Sequence, residues 1–103
     1  MNTEILILYS RKGCCLCETL EKKLSRICLN KLKPSLVLSI VDIDSKNVSL
    51  DINIKYTNQV PVLVLDSDKL SKKIDLPRVS PRLKEDMLIS WIQKQLNIFY
   101  KLS

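Results

Sequence analysis

Leu8-Tyr9-Ser10-Arg11-Lys12-Gly13-Cys14-Cys15-Leu16-Cys17 passes from apolar to polar to cysteine-rich within ten residues. Glu4 to Tyr9 is a short apolar run that ends at Ser10-Arg11-Lys12-Gly13, the pattern of a buried strand followed by a turn. Gly13 is the only glycine in the chain. It supplies backbone freedom where a strand must turn sharply into a helix. Three of the four cysteines sit at that junction.

Downstream, the apolar residues Leu16, Leu20, Leu24, Ile27, Cys28 and Leu32 trace one face of a helix from Cys15 to about Leu32. Glu18, Glu21, Lys22, Lys23 and Arg26 take the other side, acidic early and basic late, in keeping with the helix dipole. Pro34 ends the segment, and Cys28 is expected in the core. Leu36 to Ile43 has the length and β-branched content of a buried strand. Asp42, Asp44 and Ser45 then offer capping oxygens. Val48 to Tyr56 stays open: strict alternation argues for a strand, whereas Val48, Ile52 and Tyr56 fall at helical spacing. Val60 to Leu65 is a strand opened by Pro61. Asp66-Ser67-Asp68 reads as a turn, with Leu70 to Leu76 returning as a hairpin partner. Ser80-Pro81 predicts a helix start. Leu83, Met87, Leu88, Trp91, Ile92 and Leu96 carry that helix to about Ile98, with Met87 and Trp91 expected in the core. A helix between strands argues for an α/β sheet.

No repeat or linker interrupts the 103 residues, so one domain spanning 1–103 is expected. The chain is 46% apolar and 27% charged, ordinary globular chemistry. One Trp, three Tyr and one Phe leave the core to Leu, Ile and Val. Neither a basic leader nor the apolar stretch of about 7–15 residues that a secretory signal requires opens the chain. Leu36 to Ile43, the longest apolar run, falls far short of the ~20 residues that span a bilayer. A soluble cytoplasmic protein is expected, and in a reducing compartment four cysteines suggest redox catalysis or metal binding. Net charge is +6, but the basic residues are scattered and match no nucleic-acid module. Neither nucleic acid nor membrane is an expected partner.

With Cys14 just ahead of the helix, its sulfur faces free backbone N–H groups and the positive end of the dipole. Both favour thiolate, the nucleophilic form, and Arg11 and Lys12 add positive charge nearby. Cys17 follows about one helical turn later, placed to attack a mixed disulfide formed at Cys14. Cys15 is either a surface spectator or a second resolving thiol, since a bridge between adjacent residues is strained. Cys14, Cys15, Cys17 and Cys28 could also supply four thiolates to zinc or an iron–sulfur cluster. Cys17 and Cys28 on one unbroken helix would lie about 16 Å apart, too far to share an ion. A cluster bridged between two subunits through Cys14 escapes that objection. No metal ligand is therefore assigned.

The quoted stretch closely resembles the opening of glutaredoxins, and most of all the glutaredoxin-like family with leucine before the second cysteine. Val60-Pro61-Val62 is similar to the Val-cis-Pro turn of the thioredoxin superfamily. Arg78-Val79-Ser80-Pro81-Arg82-Leu83, leading into a helix with Trp91, extends the similarity over nearly the whole chain. The resemblance implies a thioredoxin fold: a central four-stranded mixed sheet flanked by helices, in the order β-α-β-α-β-β-α, with Val48 to Tyr56 a helix. It implies that Pro61 is cis beside Cys14, leaving the Val60 backbone free to pair with a substrate. It further implies that Tyr9 and Arg11 line the rim, with Arg11 available to a glutathione carboxylate. The implied activity is thiol–disulfide exchange, reducing protein or glutathione mixed disulfides through Cys14 and Cys17. That chemistry requires an external reductant and no cofactor, with glutathione as the candidate co-substrate. Two departures favour a protein disulfide. Glutaredoxins carry a Gly-Gly pair where Asp66 to Arg82 contains no glycine, and Gln59 replaces the usual threonine. A different class, a non-catalytic binding module or an iron–sulfur carrier, is the alternative.

Overall fold

The computed structural model describes residues 4–100. The elements are β1 (Glu4–Ser10), α1 (Cys15–Arg26), a 3-10 turn (Leu29–Lys31), β2 (Leu36–Asp42), α2 (Leu50–Tyr56), β3 (Val62–Ser67), β4 (Lys72–Asp75) and α3 (Glu85–Tyr100). They build one sheet in the order β2-β1-β3-β4. β1 runs parallel to β2 and antiparallel to β3, and β4 pairs antiparallel with β3. A four-stranded mixed sheet flanked by helices in this order is the thioredoxin fold that the sequence resemblance implies. The reading of residues 1–3 as leader-free lies outside the described residues.

Strand alternation gives the sheet two apolar faces. On one, Leu6 and Leu8 stand opposite Leu65 and Leu63 in register and pack with Leu20 and Leu24 of α1 and Leu88, Ile92 and Leu96 of α3. On the other, Ile7, Tyr9 and Val64 pack with Ile43 and Tyr56, and Ile52 of α2 joins them. β1, at the centre of both layers, therefore reads as an almost continuous apolar run. The open segment is a helix because Ser49 caps it, its Oγ accepting the Ile52 N–H at 3.3 Å. Its helically spaced Ile52 and Tyr56 turn inward, while Leu50 and Ile54 remain exposed.

Several boundaries differ from those the sequence suggests. α1 stops at Arg26, and Ile27 is extended, with φ −85° and ψ 156°. The 12 residues of α1 rise about 18 Å, close to the roughly 20 Å of the seven-residue β1 beside it. Six further helical residues would lengthen α1 by about 9 Å and carry the chain past the end of the sheet before it could enter β2. Breaking the helix lets Leu29 and Leu32 join the core and leaves Cys28 exposed, contrary to the expected core role. The final helix begins at Glu85, not at Pro81. Ser80 to Leu83 forms a turn closed by Leu83 N–H on the Ser80 carbonyl at 3.1 Å. Lys23 Nζ holds the Pro81 and Leu83 carbonyls, the latter at 2.8 Å, so the Pro81 oxygen is diverted from a helical bond to Glu85. β3 continues through Ser67 and the hairpin turn follows it, with Ser71 at φ +54°. Met87 is exposed rather than in the core. No helix among the described residues is long and apolar enough to cross a membrane.

Candidate active site

Gly13 has φ +79°, the left-handed conformation in which a side chain is strained, and this residue swings the chain from β1 into α1. Cys14 follows in an extended conformation as the N-cap. Its Sγ accepts the Cys17 N–H at 3.1 Å, and its carbonyl accepts the Glu18 N–H at 3.1 Å. The sulfur thus serves the role that serine or aspartate oxygen serves at other caps. Cys14 and Cys17 form a disulfide, with Cα atoms 5.2 Å apart. Cys14 is half-buried, whereas Cys17 is 2% exposed. The two sulfurs are in bonding reach, and only Cys14 is open to a partner. Cys15 and Cys28 are free and exposed. Among the described residues no three metal-ligating side chains converge.

Arg11 sits where the loops after β1, β2 and α2 meet. Its guanidinium grips both Asp44 carboxylate oxygens at 2.8 and 2.9 Å, the Thr57 carbonyl at 2.9 Å and Thr57 Oγ1 at 2.8 Å. Asn53 completes the cluster, donating to the Ile43 carbonyl at 2.8 Å and to Asp44 at 3.0 Å. The Arg11 hydrogen bonds, followed by those of Asn53 and outweighing burial, hold the Asp44 carboxyl below its ordinary range. Four hydrogen bonds occupy Arg11, so it acts as an internal clamp instead of waiting for a glutathione carboxylate. Tyr9, also expected at the rim, is 4% exposed. It stacks on Tyr56 with ring centroids 4.8 Å apart, because the alternation of β1 points it toward α2.

The Val60–Pro61 peptide bond is cis. Val60 N–H donates to the Tyr56 carbonyl at 3.2 Å, so its backbone is half-committed inside the turn and only the carbonyl can serve a partner. Pro61 lines a groove of about 310 Å³ together with Leu16, Arg78, Val79, Ser80 and Pro81. Leu16, expected on the inward face of α1, is 49% exposed because Cys17 takes the inward position ahead of Leu20 and Leu24. The sequence reading contains neither the partners of Arg11, nor the anchoring by Lys23, nor the groove wall at Leu16. The Arg11 and Lys23 contacts bridge 33 to 60 positions, beyond any local signal.

A family model described as a glutaredoxin-like domain matches residues 5–93. The chain belongs to this glutaredoxin-like family. Among solved structures, one described only as the structure of a malarial protein has a TM-score of 0.57 and is 24% identical over 90% of this chain and 97% of its own. A structural-genomics target protein from X. campestris is 26% identical over 86% of this chain and 96% of its own, with a TM-score of 0.49. No protein of curated function matches in sequence. The malarial structure supports the fold of the glutaredoxin-like chain, and the family match spans the cysteine turn.

Proposed function

We propose that this glutaredoxin-like chain is a cytoplasmic thiol–disulfide oxidoreductase that reduces protein or glutathione mixed disulfides. The observation that carries the reading is the N-cap cysteine: half-buried Cys14 accepts a helix N–H at its Sγ while Cys17 lies buried one turn behind it. A negative sulfur at that position is favoured by the backbone donor and by the dipole of α1. In the reduced protein, Cys14 thiolate attacks one sulfur of a substrate disulfide and displaces the other as a thiolate. Cys17 then loses its proton and attacks Cys14 Sγ, releasing the second substrate thiolate. Two electrons pass to the substrate, and the chain is left with the Cys14–Cys17 disulfide until an external thiol reductant restores it. Arg11, tied to Asp44 and Thr57, holds the turn in place, and Pro61 shapes the docking surface.

Reduced protein mixed with a model disulfide tests the scheme. Cys14→Ser is expected to abolish exchange, whereas Cys17→Ser should accumulate a covalent adduct visible by intact mass. If Cys17→Ser turns over normally and Cys15→Ser traps the adduct, the resolving thiol is misassigned. If Cys14→Ser retains exchange, the mechanism is wrong.

A further inference from the structure

The groove beside the cysteine turn joins an apolar wall to a single charged side chain. Its apolar wall is built from Leu16, Pro61, Val79 and Pro81. Leu16 stands 49% exposed between the two cysteines, so a partner that covers it gains apolar burial. Arg78 lines this groove and also its neighbour, where Pro61 and Val79 recur and Asp75 joins them. The two charges differ in one respect. Asp75 is engaged by the Tyr56 hydroxyl at 2.9 Å and by Lys55 at 3.2 Å. Arg78 is exposed and has no hydrogen bond or ion pair from its side chain among the described residues. The wall is also held in place: Lys23 pins the Pro81 and Leu83 carbonyls from α1, so the groove needs no folding step before it receives a chain.

A segment whose cysteine sulfur meets Cys14 must lay its neighbouring residues across Leu16 and Pro61. An apolar neighbour removes the exposed leucine from water, and a carboxylate further along satisfies the unpaired guanidinium. Resting on the oxidoreductase reading, and going beyond it to the substrate class, we propose that the site selects protein disulfides in extended acidic segments. In these, the cysteine attacked by Cys14 is flanked by an apolar residue that seats on Leu16, Pro61 and Val79, and by a carboxylate that pairs with Arg78. Glutathione disulfide offers carboxylates too but brings no apolar side chain to the groove, and Arg11 is already occupied by Asp44 and Thr57.

Single-turnover rates of the pre-reduced protein decide the matter. The probes are three disulfide-linked peptide dimers containing Leu-Cys-Glu, Leu-Cys-Lys or Gly-Cys-Glu, with glutathione disulfide as the fourth. At low ionic strength the Glu peptide should react about tenfold faster than the Lys peptide, and the ratio should shrink as salt is added. Arg78→Glu should invert that preference, an outcome that partial unfolding cannot produce because it would slow both peptides in proportion. Leu16→Ser should erase an advantage of about fivefold of the Leu peptide over its Gly analogue, the effect of burying part of one leucine. Equal rates for the Glu and Lys peptides, an unchanged ratio in Arg78→Glu, or fastest reaction with glutathione disulfide overturns the selectivity. Absence of reaction with all four disulfides is a different failure, removing the oxidoreductase reading itself.

Discussion

Replacing Tyr100 with phenylalanine probes the contact that joins the last turn of α3 to the first residue of β1. Glu4 is 1% exposed, and its carboxylate accepts the Tyr100 hydroxyl and the Lys69 N–H, the latter at 3.2 Å. The same hydroxyl lies 2.8 Å from Ser67 Oγ. Burial raises the Glu4 pKa, but hydrogen bonds from Ser67, Tyr100 and the Lys69 amide outweigh it and hold the group below its ordinary 4.5. Deleting one hydrogen bond to a buried charge costs about 2 kcal/mol. With an unfolding entropy of about 2.1 cal/mol/K per residue, a chain of 103 residues should then melt roughly 9 °C lower.

The pH dependence gives an independent check of the same contact. Tyr100 is pushed up to about 12, first by burial and then by Glu4, from its ordinary 10.0. A folded-state pKa above the unfolded one means that the native phenol keeps its proton while the unfolded one loses it. Its contribution is therefore whole below pH 10 and lost as pH rises toward 12. Glu4 works in the opposite sense: its lowered pKa makes a contribution present above its ordinary value and lost as pH falls through the folded one. Urea unfolding of the wild type and Tyr100→Phe, with free thiols alkylated, should show a gap at pH 7 that narrows at pH 11. A gap below about 0.5 kcal/mol at pH 7, or one unchanged at pH 11, refutes the account.

Gly13→Ala should cost about 1–2 kcal/mol in urea unfolding through its φ of +79° alone, since an added Cβ meets nothing within 4 Å; a neutral result means that the turn relaxes. Arg11→Met should raise amide exchange at residues 42–45 and 57–60 together, because one guanidinium ties both segments, and unchanged exchange in either refutes the clamp. The same variant should lose part of the acid sensitivity of the wild type. The lowered Asp44 pKa, due first to Arg11, makes a contribution present above the ordinary carboxylate range and lost as pH falls through the folded value. Ile92→Ala empties a site with no exposure in the α1–α3 layer and should cost about 2–5 kcal/mol in denaturant unfolding. A smaller loss shows that the layer collapses around the gap.

What could be read from residues alone was local. β1, the glycine turn, the N-cap position of Cys14 and the body of α3 each carry their signal within a few neighbours. Leu16-Leu20-Leu24 and Cys17-Leu20-Leu24 are both helical spacings. Only the three-dimensional wrap of α1 on the sheet decides that the sulfur of Cys17 goes inward and Leu16 outward. The end of α1 was hidden for a related reason: Ile27, Cys28 and Leu32 continue the period, yet the length of β1 sets how far the helix can run. Ser80-Pro81 carries a valid capping signal, overridden by an amine from Lys23 across the fold. At Val48 to Tyr56 two periodicities coexist in one segment. The Ser49 cap and the inward packing of Ile52 and Tyr56 resolve it.

Because Glu4 touches Tyr100, the described chain closes on itself at the foot of β1, while the cysteine turn lies beyond its head, about 20 Å away along the strand. Glu4 and Tyr100 thus lie together on the side of the sheet remote from Cys14. A change at the Glu4–Tyr100 contact therefore acts on the fold from the opposite end of β1 to the half-buried Cys14.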